Sequence, residues 1–323
     1  MRRFLLRRLA HGAAVIFISA SLSFLLVHLA PGDPFSGPLD SPLIDVGVKD
    51  RWREAYGLDR PLPEQYIRFL GQLARGNLGP SLLRLRPASD ALAEAAPNTL
   101  LLMGTALVIS FTLGIALGTW QASRSNTRAD RAASVASLVV ASMPEFWLGV
   151  VLMLVFAQYL RILPASGPVD LAMHAYLSPI GRALDRLRHL VLPATTLALV
   201  GVASIARYQR ATLLDVLPQD FVRTARAKGV ADRRVVWHHA LRNALVPTIV
   251  LLGLSLPTLI GGAVFVENIF SWPGLGKLAA DAFNARDAQI VTGLTILGAV
   301  LVVIGSIVAD VLHALVDPRV RAR

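Results

Sequence analysis

A basic segment between two long apolar stretches carries the side chains of this 323-residue chain that are best placed to bind a partner. Arginine and lysine at fixed spacing make charge-assisted hydrogen bonds, so the segment suits contact with an acidic protein surface. Alanine and glycine beside those cations let a partner's backbone approach closely. The candidate binding residues are Asp220, Arg223, Thr224, Ala225, Arg226, Ala227, Lys228, Gly229, Leu241 and Arg242.

Turn and cap signals predict the local structure of this segment. Asp220 is expected to be the N-cap of a helix that runs through Lys228. Gly229 suits the left-handed position that ends a helix, and Asp232 is expected to cap a second helix through about Asn243. The alternative is an ordinary positively charged loop. A capped helix with a small face, at a fixed place before an apolar stretch, favours the binding role.

Catalytic constellations are missing from the sequence. The nearest approach to a P-loop ends at Gly276-Lys277, but Leu278 replaces the required Ser or Thr and Ser271 replaces the first glycine. Neither H-E-x-x-H nor G-x-S-x-G occurs, and there are no cysteines. His238 and His239 are adjacent, so they point from different helix faces and are expected to be surface residues rather than metal ligands. We therefore expect no enzyme activity, no bound cofactor and no metal site in this chain.

Four residues within apolar stretches are candidates for a translocation path. Glu145 lies beside Pro144, and a mid-bilayer carboxylate costs on the order of 2.5–3.5 kcal/mol, so it should face the protein interior or water. It could meet a substrate ammonium, or it could be a packing residue at a helix break. Pro257, Gly261 and Gly262 are a possible gate, although glycine and proline are common in membrane helices.

The elements that position these residues are six apolar stretches, each long enough to cross a bilayer as a helix. The predicted fold is all-α and polytopic, with six transmembrane helices. The first stretch follows four arginines like a signal peptide, but its length and the proline that follows it indicate an uncleaved span. The predicted spans are 9–30, 98–121, 134–159, 189–209, 244–266 and 290–316.

The distribution of charge predicts that both termini are cytoplasmic. Outside the long segment 31–97, the side of the termini carries 18 Lys and Arg residues and the opposite side carries 6, which is a positive-inside bias. The net charge of +11 is therefore explained by topology and by attraction to anionic lipid or an acidic partner. We expect no nucleic-acid binding. The predicted location is therefore a membrane that the chain crosses several times.

The predicted organisation has one sizeable segment outside the membrane, 31–97. It should contain a short helix over 48–56 and an amphipathic stretch over 64–75 whose apolar stripe consists of Tyr66, Ile67, Leu70 and Leu73. This segment is either a small cap on the outer membrane face or a docking element for something that arrives from outside. The predicted regions are 1–30 (start and first span), 31–97, 98–316 (the five-helix core with cytoplasmic loop 210–243) and the tail 317–323.

The basic loop resembles the EAA loop of permease subunits in ABC importers. When the loop is aligned with the EAA pattern at Gly229, three residues match: Ala225 is the second alanine of the pattern, Gly229 is its glycine and Leu241 is its leucine. Its departures are typical of the dipeptide, oligopeptide and nickel branch. The stretches that carry this resemblance are RTARAKG, HALRNALVP, RRFLLRRLA, HLAPGDP, YGLDRPLPEQYIRFLGQLARGNLG, PEFWLG, ENIFSWPGLGKL and DPRVR.

The resemblance covers nearly the whole chain and is to the first permease of a pair. It implies two cytoplasmic ABC ATPase subunits that use ATP and grip helix 220–228, a second permease subunit, and an extracytoplasmic solute-binding protein. It implies a translocation path for short peptides, with nickel chelates, glutathione or another solute as alternatives. A secondary transporter is a further alternative, but the sequence has neither the inverted repeats nor the paired intramembrane charges that it would need.

Overall fold

The computed structural model describes residues 2–29, 47, 60–81, 84–255 and 264–316 of the chain. Helix dominates these residues, and a two-residue antiparallel ladder joins β1 (Pro80–Ser81) to β2 (Arg86–Pro87). The α-helices are α1 (Arg2–Leu29), α2 (Leu62–Ala74), α3 (Ala88–Ser123), α4 (Arg128–Ser142), α5 (Glu145–Leu152), α6 (Pro179–Val216), α7 (Asp220–Ala227), α8 (Asp232–Arg234), α9 (Leu241–Ser255), α10 (Val264–Ile269), α11 (Leu275–Asn284) and α12 (Ala288–Val316). Met153–Tyr159 and Val235–Ala240 are π-helical, and His174–Tyr176 is a 3₁₀ turn.

The multi-pass helical fold is confirmed. Within the described residues five helices are long and apolar enough to cross a membrane, and a sixth span results if one bent pair of helices is counted as one. The five are Arg8–Leu29, Ala88–Ser123, Pro179–Val216, Asp232–Ser255 and Ala288–Val311. The bent pair is Arg128–Ser142 with Glu145–Tyr159.

The third predicted span is sharply bent rather than straight. Its two halves meet at an angle of 102° at the junction of α4 and α5. Met143 has an extended backbone with ψ of 136°, as expected for a residue that precedes proline, and Pro144 is the residue before α5. The bend therefore follows from Pro144, and it places Glu145 at the first position of α5.

Two spans begin earlier than predicted, and a cap outside the apolar stretch explains the difference for one of them. The predicted helix over 189–209 begins ten residues earlier, at Pro179, where the Ser178 hydroxyl accepts a hydrogen bond from the Gly181 amide at 3.2 Å. Proline is favoured at the first helical position, and serine is a good N-cap. The predicted helix over 98–121 likewise begins at Ala88 and continues through Pro97.

Helices α3 and α6 approach each other closely at two glycines of α3. A Cβ added at Gly114 would lie 2.7 Å from the Cβ of Ile205, and one added at Gly118 would clash with the carbonyl oxygen of Ala206. Small residues spaced four apart allow this close contact between membrane helices.

The chain divides into two compact units. One contains Met1–Asn98 with Gly274–Val303, and the other contains Thr99–Pro273 with Ile304–Arg323. The buried core of the first unit brings α3 together with α11 and the start of α12. Asp287 caps α12 there, since its carboxylate accepts from the Ile290 amide at 3.0 Å and from the Ser81 hydroxyl at 2.7 Å.

In the same unit the amphipathic helix α2 packs on α1. The hydroxyls of Ser21 and Tyr66 are 2.6 Å apart, and the rings of Phe24 and Phe69 have centroids 5.4 Å apart. Of the predicted stripe, only Ile67 is exposed, at 69%, whereas Tyr66, Leu70 and Leu73 are partly buried. The predicted helix over 48–56 lies outside the described residues.

Candidate functional site

Helix α7, the first half of the predicted binding loop, ends as predicted at Gly229. This glycine has φ of +77°, in the left-handed region that favours glycine. Its amide donates to the Arg226 carbonyl at 2.9 Å, and the Val230 amide donates to the Ala225 carbonyl at 3.3 Å. These two bonds form a Schellman motif, which fixes where α7 stops and how the chain leaves it.

One face of α7 is anchored in the chain's own core. Val222 is fully buried in an apolar cluster, and Ala225 and Val230 pack on that cluster while partly buried. The cluster joins the ends of α3 and α6 to the π-helical segment and the start of α9. Its buried members are Ala122, Leu213, Val222, Val235, Val236, Ala240 and Ala244.

The opposite face of α7 is exposed and holds most of the predicted binding residues. The exposed predicted residues are Asp220, Arg223, Thr224, Arg226, Ala227, Lys228 and Gly229. Ala225 differs from the other two small residues, because it packs on the cluster and thus shapes the inner face of α7. An exposed surface with several cations and a small patch at its end suits contact with an acidic partner surface.

The two predicted N-caps were wrong. Gln219 precedes α7 and Ala231 precedes α8, so each aspartate is the first residue within its helix. Asp220 is still favourable there, because a carboxylate in the first turn interacts well with the helix dipole. Asp232 instead accepts a hydrogen bond from Arg226 Nε at 2.9 Å, which ties the end of α7 to the start of α8.

The second half of the predicted loop runs without interruption into the membrane. Residues Asp232–Ser255 form one helical stretch, and its π-helical part over Val235–Ala240 was not predicted. Leu241 is partly buried at the start of α9, and the adjacent Arg242 is exposed. Movement of α7 would therefore act directly on the beginning of a membrane helix.

Two polar contacts that sequence reasoning missed hold the helices around this site. Asp130 of α4 accepts from Arg210 of α6 through Nε and Nη2, both at 2.8 Å. The Thr248 hydroxyl of α9 donates to Gln209 Oε1 of α6 at 2.6 Å, and both of these side chains are fully buried. Residues 130 and 210 lie 80 positions apart, and no local pattern pairs them; a charged residue at the edge of an apolar stretch was the available signal.

The predicted path residues are placed only in part. Glu145 is exposed on the surface of this chain, beside Phe146, whose ring centroid lies 6.1 Å from that of Phe265. An exposed carboxylate within an apolar stretch needs water or another protein surface against it. Pro257, Gly261 and Gly262 lie outside the described residues.

The sequence that came nearest to a P-loop forms the start of helix α11. Gly274 precedes α11, and Lys277 lies on α11 with its Nζ 3.8 Å from Asp281 Oδ1. Over the residues that the structure describes, no group of three or more histidine, aspartate or glutamate side chains could hold a metal ion.

Comparison with known proteins identifies the family. The model of the binding-protein-dependent transport system inner membrane component matches residues 94–322, and the model of the N-terminal part of such membrane components matches residues 1–81. The chain is 39% identical over 321 residues to the oligopeptide transport system permease protein AppB of Bacillus subtilis. It is 39% identical over 333 residues to the di/tripeptide transport system permease protein DppB of Pseudomonas aeruginosa. Each alignment covers 99% of both chains.

More distantly related proteins point to the same kind of transport protein. The glutathione transport system permease protein GsiC of Escherichia coli is 35% identical over 321 residues, with 99% of each chain covered. A chain of the MetNI methionine ABC transporter, solved in inward-facing conformations, superposes with a TM-score of 0.56 at 18% identity, covering 70% of this chain and 96% of that chain. This last likeness shows the fold alone. The chain is therefore a membrane permease rather than an enzyme, and it belongs to the family of binding-protein-dependent transport system inner membrane components.

Proposed function

We propose that this chain is the first permease subunit of an ATP-driven importer and forms part of the translocation path for short peptides. Its proposed partners are a second permease subunit, two cytoplasmic ATPase subunits that use ATP, and an extracytoplasmic binding protein that delivers the substrate. Both termini are then cytoplasmic, and membrane lipid surrounds the spans. The observation that carries the proposal is the arrangement of α7. Val222 anchors one side of this helix, and Arg223, Ala227 and Lys228 are exposed on the other.

The geometry of α7 suits a rigid element through which an ATPase moves the membrane helices. Val222 and Ala225 pack against the ends of the helices that meet in the apolar cluster. The Schellman motif at Gly229 and the bond from Arg226 to Asp232 fix α7 relative to the stretch Asp232–Ser255. A displacement of α7 is therefore passed to α6 and α9, and an ATPase that binds one arrangement more tightly shifts the bundle toward it.

Peptides are the proposed substrate class because of the relatives' stated substrates. Two relatives at 39% identity are named for oligopeptides and for di- and tripeptides. Glutathione is the second candidate, from a relative at 35% identity. Both candidates carry an ammonium group, which the exposed carboxylate of Glu145 would attract if it faces the path.

The first test is co-purification in detergent with the ATPase subunits encoded near this chain. The informative variant is Ala227→Trp, because Ala227 is the exposed last residue of α7 and its replacement leaves the cluster around Val222 intact. The matched control is Ala74→Trp, at the exposed last residue of α2. We expect the wild type and the control to retain the ATPase and Ala227→Trp to lose it.

Equal retention by both variants would contradict the coupling role of α7, and no retention by the wild type would contradict the proposed ATPase partners. Uptake into vesicles that contain the whole complex separates the substrates. A labelled tripeptide should be taken up with ATP, and an excess of glutathione should compete weakly. Uptake of labelled glutathione together with no tripeptide uptake would replace peptides by glutathione in the proposal.

A further inference from the structure

The carboxylate of Asp130 is the centre of a buried polar junction. Asp130 is 1% exposed, and its two oxygens accept from Arg210 Nε and Nη2, both at 2.8 Å. They also accept from the Asn126 amide at 3.0 Å and from the Ser134 hydroxyl at 3.4 Å. Paired hydrogen bonds between an arginine and a carboxylate hold both distance and orientation. The junction therefore fixes the loop before α4, the first turn of α4 and the cytoplasmic part of α6 together.

Helix α4 buries polar side chains rather than large apolar ones. Its two buried residues, Asp130 and Ser137, are both polar. Its larger apolar side chains point away from the rest of the chain, with Val135 60% exposed, Leu138 51% and Val139 49%. Helix α4 nevertheless packs along α6. The bond from Asp130 to Arg210 is a charged, two-point contact between these two helices, so it fixes their relative position more strictly than small side chains alone would.

Arg210 lies immediately before the part of α6 that contacts the predicted coupling helix. Leu213, three residues further along α6, is fully buried in the cluster that holds Val222 of α7. At its other end α4 leads through the bend at Pro144 to Glu145. The junction thus joins a helix that touches the site of ATPase binding to a helix that leads to the candidate path residue.

We propose that Asp130 and Arg210 are positioning residues for coupling: their bond makes α4 move with the cytoplasmic end of α6 when α7 is displaced. The proposal rests on the proposed ATPase-coupling function of α7. Without the bond, ATP hydrolysis continues on the partner subunits, but the motion reaches α4 and Glu145 incompletely. Neither residue touches substrate or nucleotide in this role.

The test compares Asp130→Asn with Arg210→Lys in the reconstituted complex, measuring substrate uptake and ATP hydrolysis in the same vesicles. The readout is uptake per ATP hydrolysed, which a loss of folded protein does not change, since it lowers both rates equally. We expect Asp130→Asn to lower this ratio about tenfold, within the range of ordinary coupling between sites, and Arg210→Lys to lower it less. The control is Glu94→Gln, which removes the exposed pair with Arg86 and should leave the ratio unchanged.

A second measurement follows the motion itself. The natural chain has no cysteine, so spin labels can be placed at Ala132→Cys in α4 and Asp215→Cys in α6, both at exposed positions. With the pair intact, the distance between the labels should change by less than about 2 Å between nucleotide-free and ATP-bound complexes, which is the size of small helix shifts. In Asp130→Asn the distribution of this distance should broaden, or its mean should change with nucleotide.

The proposal is overturned if the wild type couples normally while Asp130→Asn keeps the wild-type ratio. It is also overturned if the label distance in the intact pair changes with nucleotide by clearly more than about 2 Å. A different result, in which the wild-type chain binds no ATPase at all, contradicts the proposed function rather than the role of this pair.

Discussion

At the scale of single residues, backbone conformation alone explains why position 229 requires glycine. Its φ is +77°, and a Cβ added there would meet nothing within 4 Å. Any cost of a side chain is therefore strain in the left-handed conformation and not a clash. For most L-residues that strain is about 1–2 kcal/mol.

We predict that Gly229→Ala weakens the end of α7 by this amount. The amides of Lys228, Gly229 and Val230 donate the bonds that close the helix, so their opening should become easier. Hydrogen–deuterium exchange of the peptide that contains them should accelerate about five- to thirtyfold. Gly229→Asn should accelerate it less, because asparagine tolerates the left-handed region. Equal acceleration in the two variants would argue against backbone strain.

A second prediction concerns the buried bond between Thr248 and Gln209. Valine at position 248 keeps the shape of threonine but leaves Gln209 Oε1 without the hydroxyl that donates to it at 2.6 Å. A buried acceptor that loses its donor costs about 1–3 kcal/mol, so Thr248→Val should lower the free energy of unfolding in detergent by that amount.

Thr212→Val is the matched control for this change, because the Thr212 hydroxyl bonds to carbonyls of its own helix. Its effect on stability should stay within about 0.5 kcal/mol, as for most substitutions away from special contacts. An equally large loss in the control would show that the side-chain volume or helix propensity, rather than the bond to Gln209, determines the cost.

At the scale of elements, the sequence was sufficient for what depends on local chemistry. Apolar stretches of membrane length predicted the spans, and glycine at position 229 predicted the end of α7. Boundaries fixed by polar caps were missed: α6 begins at Pro179 because of Ser178, which lies outside the apolar stretch. The inner orientation of Ala225 was also missed, since it depends on which helices meet in the cluster.

The pairing of Asp130 with Arg210 could not be predicted for the same reason. The sequence showed Arg210 only as one of the basic residues behind the positive-inside bias, and only the crossing of α4 and α6 brings Asp130 within 2.8 Å of it. Long-range pairs of this kind require knowledge of helix packing. Hydrophobic periodicity does not reveal helix packing when the buried residues are polar, as they are in α4.

A third prediction tests helix packing within one element. Gly118→Val in α3 should push α3 away from α6, since the new side chain would overlap the carbonyl of Ala206. Gly104→Val in the same helix is the control, because a Cβ added there would meet nothing within 4 Å. The midpoint of thermal unfolding in detergent should fall clearly for Gly118→Val and little for Gly104→Val. Similar midpoints would contradict the close approach of α3 and α6.

At the scale of the whole molecule, orientation in the membrane decides which partners can reach which surface. The proposed ATPase contact at α7 requires the loop 210–243 to be cytoplasmic, and delivery of substrate requires the loop 160–188 to face outward. The charge bias of 18 against 6 basic residues supports this orientation. The described structure is compatible with it, because α6 runs from one loop to the other without interruption.

The absence of cysteine from the natural sequence makes this orientation directly testable with single cysteine substitutions. Ala227→Cys places a thiol on the exposed face of α7, and Tyr176→Cys places one on the opposite loop, where Tyr176 is 84% exposed. A membrane-impermeant maleimide should label position 227 in inverted vesicles and position 176 in right-side-out vesicles. Labelling of both positions in the same vesicles would place an even number of crossings between them. Labelling of each position from the side opposite to the expected one would invert the topology. In either case α7 and the ATPases could not meet as proposed, whatever the local structure of the loop.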